Sequence, residues 1–167
     1  SALKDPKCAS NHEHRNLNSL VISLGMATSI NFLMDLCILM PGCHMRDLRY
    51  LDIQSNNIIG LHMATLCQSL RFCWKLTGIN LSYNPIGDEG VRALCEVLKS
   101  SWLQILLLDN CSLTERCVPY LSMLCPHRNI HVTLSCNAIG EDGWRTLRQY
   151  GCFTRAKMSI EEIMLRI

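Results

Sequence analysis

"LTGINLSYNPIGDEGVRALCEVL", residues 76–98, changes its hydrophobic period halfway along. Ile79 and Leu81 alternate as on a short, half-buried strand. Val91, Leu94, Cys95 and Leu98 recur three and four apart, as on one face of a helix. Between them "NPIG" supplies the residues of a turn. A three-residue strand, a turn and one amphipathic helix cannot bury their own apolar faces, so such a unit has to stack on copies of itself. The chain therefore has to be searched for repeats before any other reading.

The copies are present. "LRYLDIQSNNI" (48–58), "LTGINLSYNPI" (76–86) and "LQILLLDNCSL" (103–113) share the pattern L-x-x-L-x-L-x-x-N/C-x-L at every apolar position, with Ile allowed for Leu. A fourth, "NIHVTLSCNAI" (129–139), loses only its first Leu, to Asn129. They begin 28, 27 and 26 residues apart, and a worn copy, "LNSLVISLGM", begins at Leu17 with Gly25 in the Asn position. The turn and helix also recur: "NPIGDEGVRAL" (84–94) is echoed by "NAIGEDGWRTL" (137–147), two repeats later.

On these motifs residues 17–152 resemble the leucine-rich repeats, in the long, helix-containing form seen in ribonuclease inhibitor and in the sensor domains of intracellular nucleotide-binding immune receptors. The resemblance implies a right-handed α/β solenoid, a horseshoe with parallel strands on its concave face and helices on its convex face. It also implies that Asn56, Asn84 and Asn137, with Cys111 at the equivalent place, bond neighbouring backbone groups with their side chains. Strand alternation puts Leu51 and Ile53, Ile79 and Leu81, Leu106 and Leu108, and Val132 and Leu134 in the core. The alternate residues then line the concave face. Among them Tyr50, Asp52, Asn80, Tyr83, Ile105, Leu107, Asp109 and His131 form a mostly uncharged polar surface with an apolar spot at Ile105 and Leu107, and they are the expected partner contacts.

In the helix of residues 87–98, Asp88 is expected to cap and Glu89 to favour the positive N-terminal end. Pro119 is expected at the start of a helix, and Gly151 at the end of one. Trp74, Trp102 and Trp144 are expected to pack between or beneath repeats, because indoles bury much area. "KMSIEEIMLRI" carries a capping box, Ser159 with Glu162, ahead of apolar Ile160, Ile163, Met164 and Ile167. It reads as a helix sealing the last repeat. The division that follows is one domain: a lead-in over 1–16, about five repeats over 17–152, and a C-terminal capping helix over 153–167.

Composition narrows the function. With 167 residues, 49% hydrophobic and 18% charged, the chain can fill a core of its own. A formal charge of +2 without a Lys/Arg run argues against a nucleic-acid partner, and no apolar run reaches the ~18 residues of a membrane span. The 11 cysteines include no Cys-x-x-Cys pair. Cys37, Cys67, Cys95 and Cys125 lie in helical apolar contexts, where free thiols pack as small hydrophobes in a reduced, intracellular protein. Cys8, His12, His14, Cys43 and His44 have no regular ligand spacing, so neither a metal nor another cofactor is expected.

No catalytic fingerprint is present, and "NPIGDEG" lacks the Lys and Ser/Thr of a phosphate loop. Cys111 with His127 or His131 would be the remaining nucleophile and base, but the repeat already requires Cys or Asn at 111. The expectation is a non-enzymatic module that binds a protein through its concave face, cytoplasmic or nuclear. A chain opening on Ser1 is further expected to be a piece of a larger scaffold or sensor. The alternatives are a self-contained adaptor or inhibitor, and a homo-oligomerising element that uses an apolar N-terminal edge around Phe32, Leu36 and Leu39.

Overall fold

The computed structural model describes residues 18–21, 35–38, 47–125 and 129–166. Six short strands run through it: β1 (Ser19–Val21), β2 (Tyr50–Asp52), β3 (Gly78–Asn80), β4 (Ile105–Leu107), β5 (His131–Thr133) and β6 (Phe153–Thr154). They form one parallel sheet in sequence order, in the register Leu20, Leu51, Ile79, Leu106, Val132, Phe153. Strands β2 to β5 each return through a helical layer: α1 (Gly60–Leu70), α2 (Gly87–Leu98), a 3₁₀ turn (Glu115–Cys117) leading into α3 (Val118–Ser122), and α4 (Gly140–Arg148). A last short helix, α5 (Ile160–Met164), follows β6. The result is an open solenoid of stacked units.

The core lies between sheet and helices and is continuous along the stack. Leu51, Ile53, Ile79, Leu81, Leu106, Leu108, Val132 and Leu134 face it from the strands, and Val91, Leu94, Cys95 and Leu98 from α2, all buried. Cys37, Cys67 and Cys95 join the same core, with Cys125 packed half-buried against it. All nine cysteines among the described residues are free thiols. Cys8, His12, His14, Cys43 and His44 lie outside those residues. So do Phe32 and Leu39 of the expected apolar edge, whereas its third member, Leu36, is buried in the core.

The side chains of the ladder position hold adjacent units together. Asn84 is fully buried. Its Oδ1 accepts from the amides of Asn56 (2.8 Å) and Ile58 (3.0 Å) in the preceding unit. Its Nδ2 donates to the carbonyls of Ile53 (3.0 Å) and Leu81 (2.9 Å). Asn137 repeats the arrangement, accepting from Cys111 and Leu113 and donating to Leu108 and Leu134. Each buried backbone group left without a partner would cost about 1 to 3 kcal/mol, so these two side chains carry much of the cohesion between units. Cys111 supplies only the donor half: its thiol reaches the Leu81 carbonyl at 3.3 Å.

The residue before each ladder position is left-handed: Ser55, Tyr83, Asn110 and Cys136 all have φ between 51° and 61°. Beyond the ladder the turns alternate. After Asn56 and Cys111 the next residue, Asn57 or Ser112, is again left-handed, whereas after Asn84 and Asn137 it is the third residue on, Gly87 (φ 65°) or Gly140 (φ 70°). This alternation of turn types is why the sequence echoes itself at every second unit.

Several local expectations are corrected. Asp88 does not cap α2, whose N-terminus at Ile86 has no side-chain cap. It reaches across to the next unit and accepts from the Thr114 amide (2.8 Å) and hydroxyl (2.6 Å). Pro119 and Gly151 do take their expected places, Pro119 in the first turn of α3 and Gly151, at φ 67°, just past α4. Trp144 is buried, but Trp74 and Trp102 are 62% and 80% exposed. Cys73 and Leu76, and in the next unit Leu98 and Leu103, already fill the core beneath them, so the indoles turn outward. Together with Leu70, Leu76 and Val97 they flank a surface groove of about 270 Å³.

Candidate partner-binding face

Curvature gathers the outward residues of β2 to β5 into one concave surface. In register, Tyr50, Gly78, Ile105 and His131 form one row across the sheet, and Asp52, Asn80, Leu107 and Thr133 the next. Gly78 contributes no side chain, which leaves a gap between Tyr50 and Ile105. Polar members of the second row are tied to one another: Asn80 Nδ2 donates to Asp52 Oδ2 (3.0 Å), and the Gln54 amide to Asp52 Oδ1 (3.1 Å).

Of the eight expected contacts, Tyr50, Asp52, Asn80, Ile105, Leu107 and Asp109 are buried, His131 is half-buried and Tyr83 is 38% exposed. The concave face is not open to solvent along this row, because the chain's own C-terminal segment lies on it. Ile163 of α5 is buried against Tyr50, Ile105 and Leu107, with Met158 packed beside them. The segment expected to seal the last repeat instead crosses the concave side, and β6 adds to the sheet's end in its place. The helix itself is shorter than the expected 153–167, and the side chains of Ile160, Met164 and Ile167 lie outside the described residues.

Anchors along the segment explain its path. The Arg155 guanidinium lies 4.6 Å from the centre of the Trp144 ring and 2.8 Å from Glu141, while the Ser135 hydroxyl donates to the Arg155 carbonyl. Lys157 Nζ sits 5.1 Å from the centre of the Tyr83 ring and donates to the Tyr83 hydroxyl. The Ser159 and Glu162 capping box forms as expected and starts α5. That short helix turns Ile163 toward the sheet and leaves Leu165 in solvent.

Titratable groups on the face respond to this cover. Burial pushes the Asp109 carboxyl above its ordinary value, opposed by the Ser135 amide, which donates to it at 2.7 Å, and by the charge of Lys157. Burial, and then the charge of Arg166, hold His131 below its ordinary 6.5, with Glu162 pulling the other way. The Tyr50 hydroxyl is raised by burial and by the neighbouring Asp52 charge. Lys157 is raised above its ordinary value by its hydrogen bond to the Tyr83 hydroxyl. Cys111, the one nucleophile considered, is fully buried, and burial raises its thiol to about 12. It is a protonated hydrogen-bond donor within the ladder, and His127 lies outside the described residues.

Sequence reasoning placed the concave row correctly and missed what covers it. The signal was there: an apolar spot at Ile105 and Leu107 on a polar face, and an unpaired amphipathic stretch at the C-terminus.

An open stack of parallel-stranded units, held by a buried Asn/Cys ladder and presenting one concave face, defines a solenoid repeat protein. More narrowly, the chain carries leucine-rich repeats: the models of that repeat family match residues 47–69 and 73–95. It is 29% identical over 130 residues to NACHT, LRR and PYD domains-containing protein 14 of Homo sapiens, covering 75% of this chain and 11% of that protein. It is 37% identical over 113 residues to the ribonuclease inhibitor of Sus scrofa, covering 65% and 24%. The tropomodulin C-terminal domain of Caenorhabditis elegans shares the fold, with a TM-score of 0.54 at 14% identity over 79% of this chain and 87% of that one. The chain thus spans at most about a quarter of the length of these two curated relatives.

Proposed function

We propose that this chain is a non-enzymatic protein-recognition module whose concave strand face is its binding surface, and that it works within a larger intracellular scaffold or sensor. The observation that carries the reading is that the face already holds a stretch of polypeptide: Ile163 seats on Tyr50, Ile105 and Leu107, and Lys157 on Tyr83. Similarity to an inhibitor of ribonuclease and to a multidomain NACHT protein supports the same reading. The nine free thiols among the described residues accord with a reducing compartment.

Recognition would use the half-buried and exposed residues His131 and Tyr83 at the rim and the apolar spot at the centre, aromatic side chains being favoured at interface hot spots. The test is affinity capture from cell lysate with immobilised wild-type chain beside Tyr83→Ala/His131→Ala and Tyr50→Ala/Asp52→Ala/Asn80→Ala chains, each checked by circular dichroism for a retained fold. Proteins held by the wild type should be lost from both variants. Equal retention by folded variants would sink the concave face as the binding surface.

A further inference from the structure

We propose that the segment of residues 155–166 is a built-in occupant of the concave face, and that the face takes from outside a segment of the same chemistry: a short amphipathic helix carrying an aliphatic anchor, with a cation six residues before it. The inference rests on the concave face being the binding surface and adds the kind of partner it fits and the contact that partner must displace.

Two independent features define the chemistry. The anchor site is apolar and has a shape: Tyr50 and Ile105 stand on either side of Gly78, Leu107 lies in the adjoining row, and Ile163 is 4% exposed once seated there. Beside it the face offers a negative and aromatic site. Lys157 lies over the Tyr83 ring and lowers the otherwise raised Asp109 carboxyl. An aliphatic residue at 163 and a cation at 157 therefore match an apolar seat and an acidic, aromatic seat on the sheet. The segment is held lightly along its length, since Lys157 and Arg166 are exposed and Leu165 stands in solvent.

Such a segment competes as an intramolecular ligand. Joined to the sheet through β6 by a short tether, it acts at an effective concentration on the order of millimolar, so an outside segment of equal contacts binds more weakly by the factor that cis docking imposes. Changing Ile163 to Asp removes the anchor, and changing Lys157 to Glu sets two negative charges against each other. Either change should release the segment and leave the ladder and core untouched.

The probe is a fluorescently labelled peptide of residues 153–166, titrated by anisotropy into the full chain as wild type, Ile163→Asp and Lys157→Glu. Hydrogen exchange of residues 156–166 is measured in parallel. The expected result is slowed exchange of the segment in the wild type, fast exchange in both variants, and peptide binding at least about tenfold tighter to the variants. Adding Leu107→Asp to the released chain should abolish that binding. Equal or absent binding by wild type and folded variants overturns the proposal. So does a wild-type dimer that grows with concentration and disappears in Ile163→Asp, because the segment then belongs on a second copy. Free exchange of residues 156–166 in the wild type overturns it as well. In that last case the concave face as binding surface survives, since its own test is loss of capture by the Tyr83 and His131 variant.

Discussion

Leu51 and Tyr50 are neighbours in β2, and both are buried, at 0% and 3% exposure. The reasons differ. Leu51 points into a core built by every unit of the stack, with Ile79 in register beside it and helices behind. Tyr50 points the other way and is covered by Ile163, with Met158 beside it, from a C-terminal segment whose helix is five residues long. The same burial therefore has two origins: repetition on one side of the sheet, and one short segment on the other. The first belongs to the cooperative fold. The second can be lost while the fold stays, and local opening is cheapest where few buried contacts hold a segment.

The largest effect that would test this contrast is expected on the repetitive side. Asn84→Ala removes two accepted ladder bonds and the donated bonds to Ile53, Leu81 and Ser82 at a fully buried site. It should cost about 4 kcal/mol, near the upper end for a single substitution, as read by urea denaturation. Leu106→Ala opens a cavity in the shared core and should cost about 3 kcal/mol in the same measurement.

Ile163→Ala trims a comparably buried aliphatic side chain, yet it should lower global stability by less than about 1 kcal/mol, because the segment can detach before the stack unfolds. Its signature should be faster exchange confined to residues 156–166. A global loss matching that of Leu106→Ala would erase the distinction between the two sides.

The smallest effect is a pH dependence of the segment. His131 is held below 6.5 in the folded chain, so its contribution to docking is present above that value and is lost as pH falls through it. Lys157 is raised above 10.5, so its contribution is present below 10.5 and is lost as pH climbs through its folded value. Asp109 works against the His131 effect at acid pH, since a raised carboxyl gains stability as it protonates. Exchange of residues 156–166, corrected for intrinsic rates, should quicken between pH 7.5 and 5.5. His131→Gln should abolish that change.

Much was legible in advance because a repeat states its requirements several times. Leu51, Ile79, Leu106 and Val132 stand at one position in four copies, and Asn56, Asn84, Cys111 and Asn137 at another, so strand direction, core face and ladder could be read by alignment. Trp74 and Trp102 were misplaced because the pattern says nothing about residues between its fixed positions, and the space beneath them was already filled. Asp88 sat where a cap would sit, but its hydrogen-bond partner, Thr114, is 26 residues away in the next unit.

By itself the sequence determined the architecture of this chain: its units, their length, the residues that enter the core and the residues that face away. Those follow from periodicity, which is a local property restated in each copy. Tertiary packing alone sets that the outward row is covered, that Ile163 covers it with Lys157 on Tyr83 beside it, and that β6 extends the end of the sheet. A contact between Tyr50 and Ile163 joins positions more than a hundred residues apart. It occurs once, so no repetition announces it, and it depends on a curvature that exists only after the units have stacked.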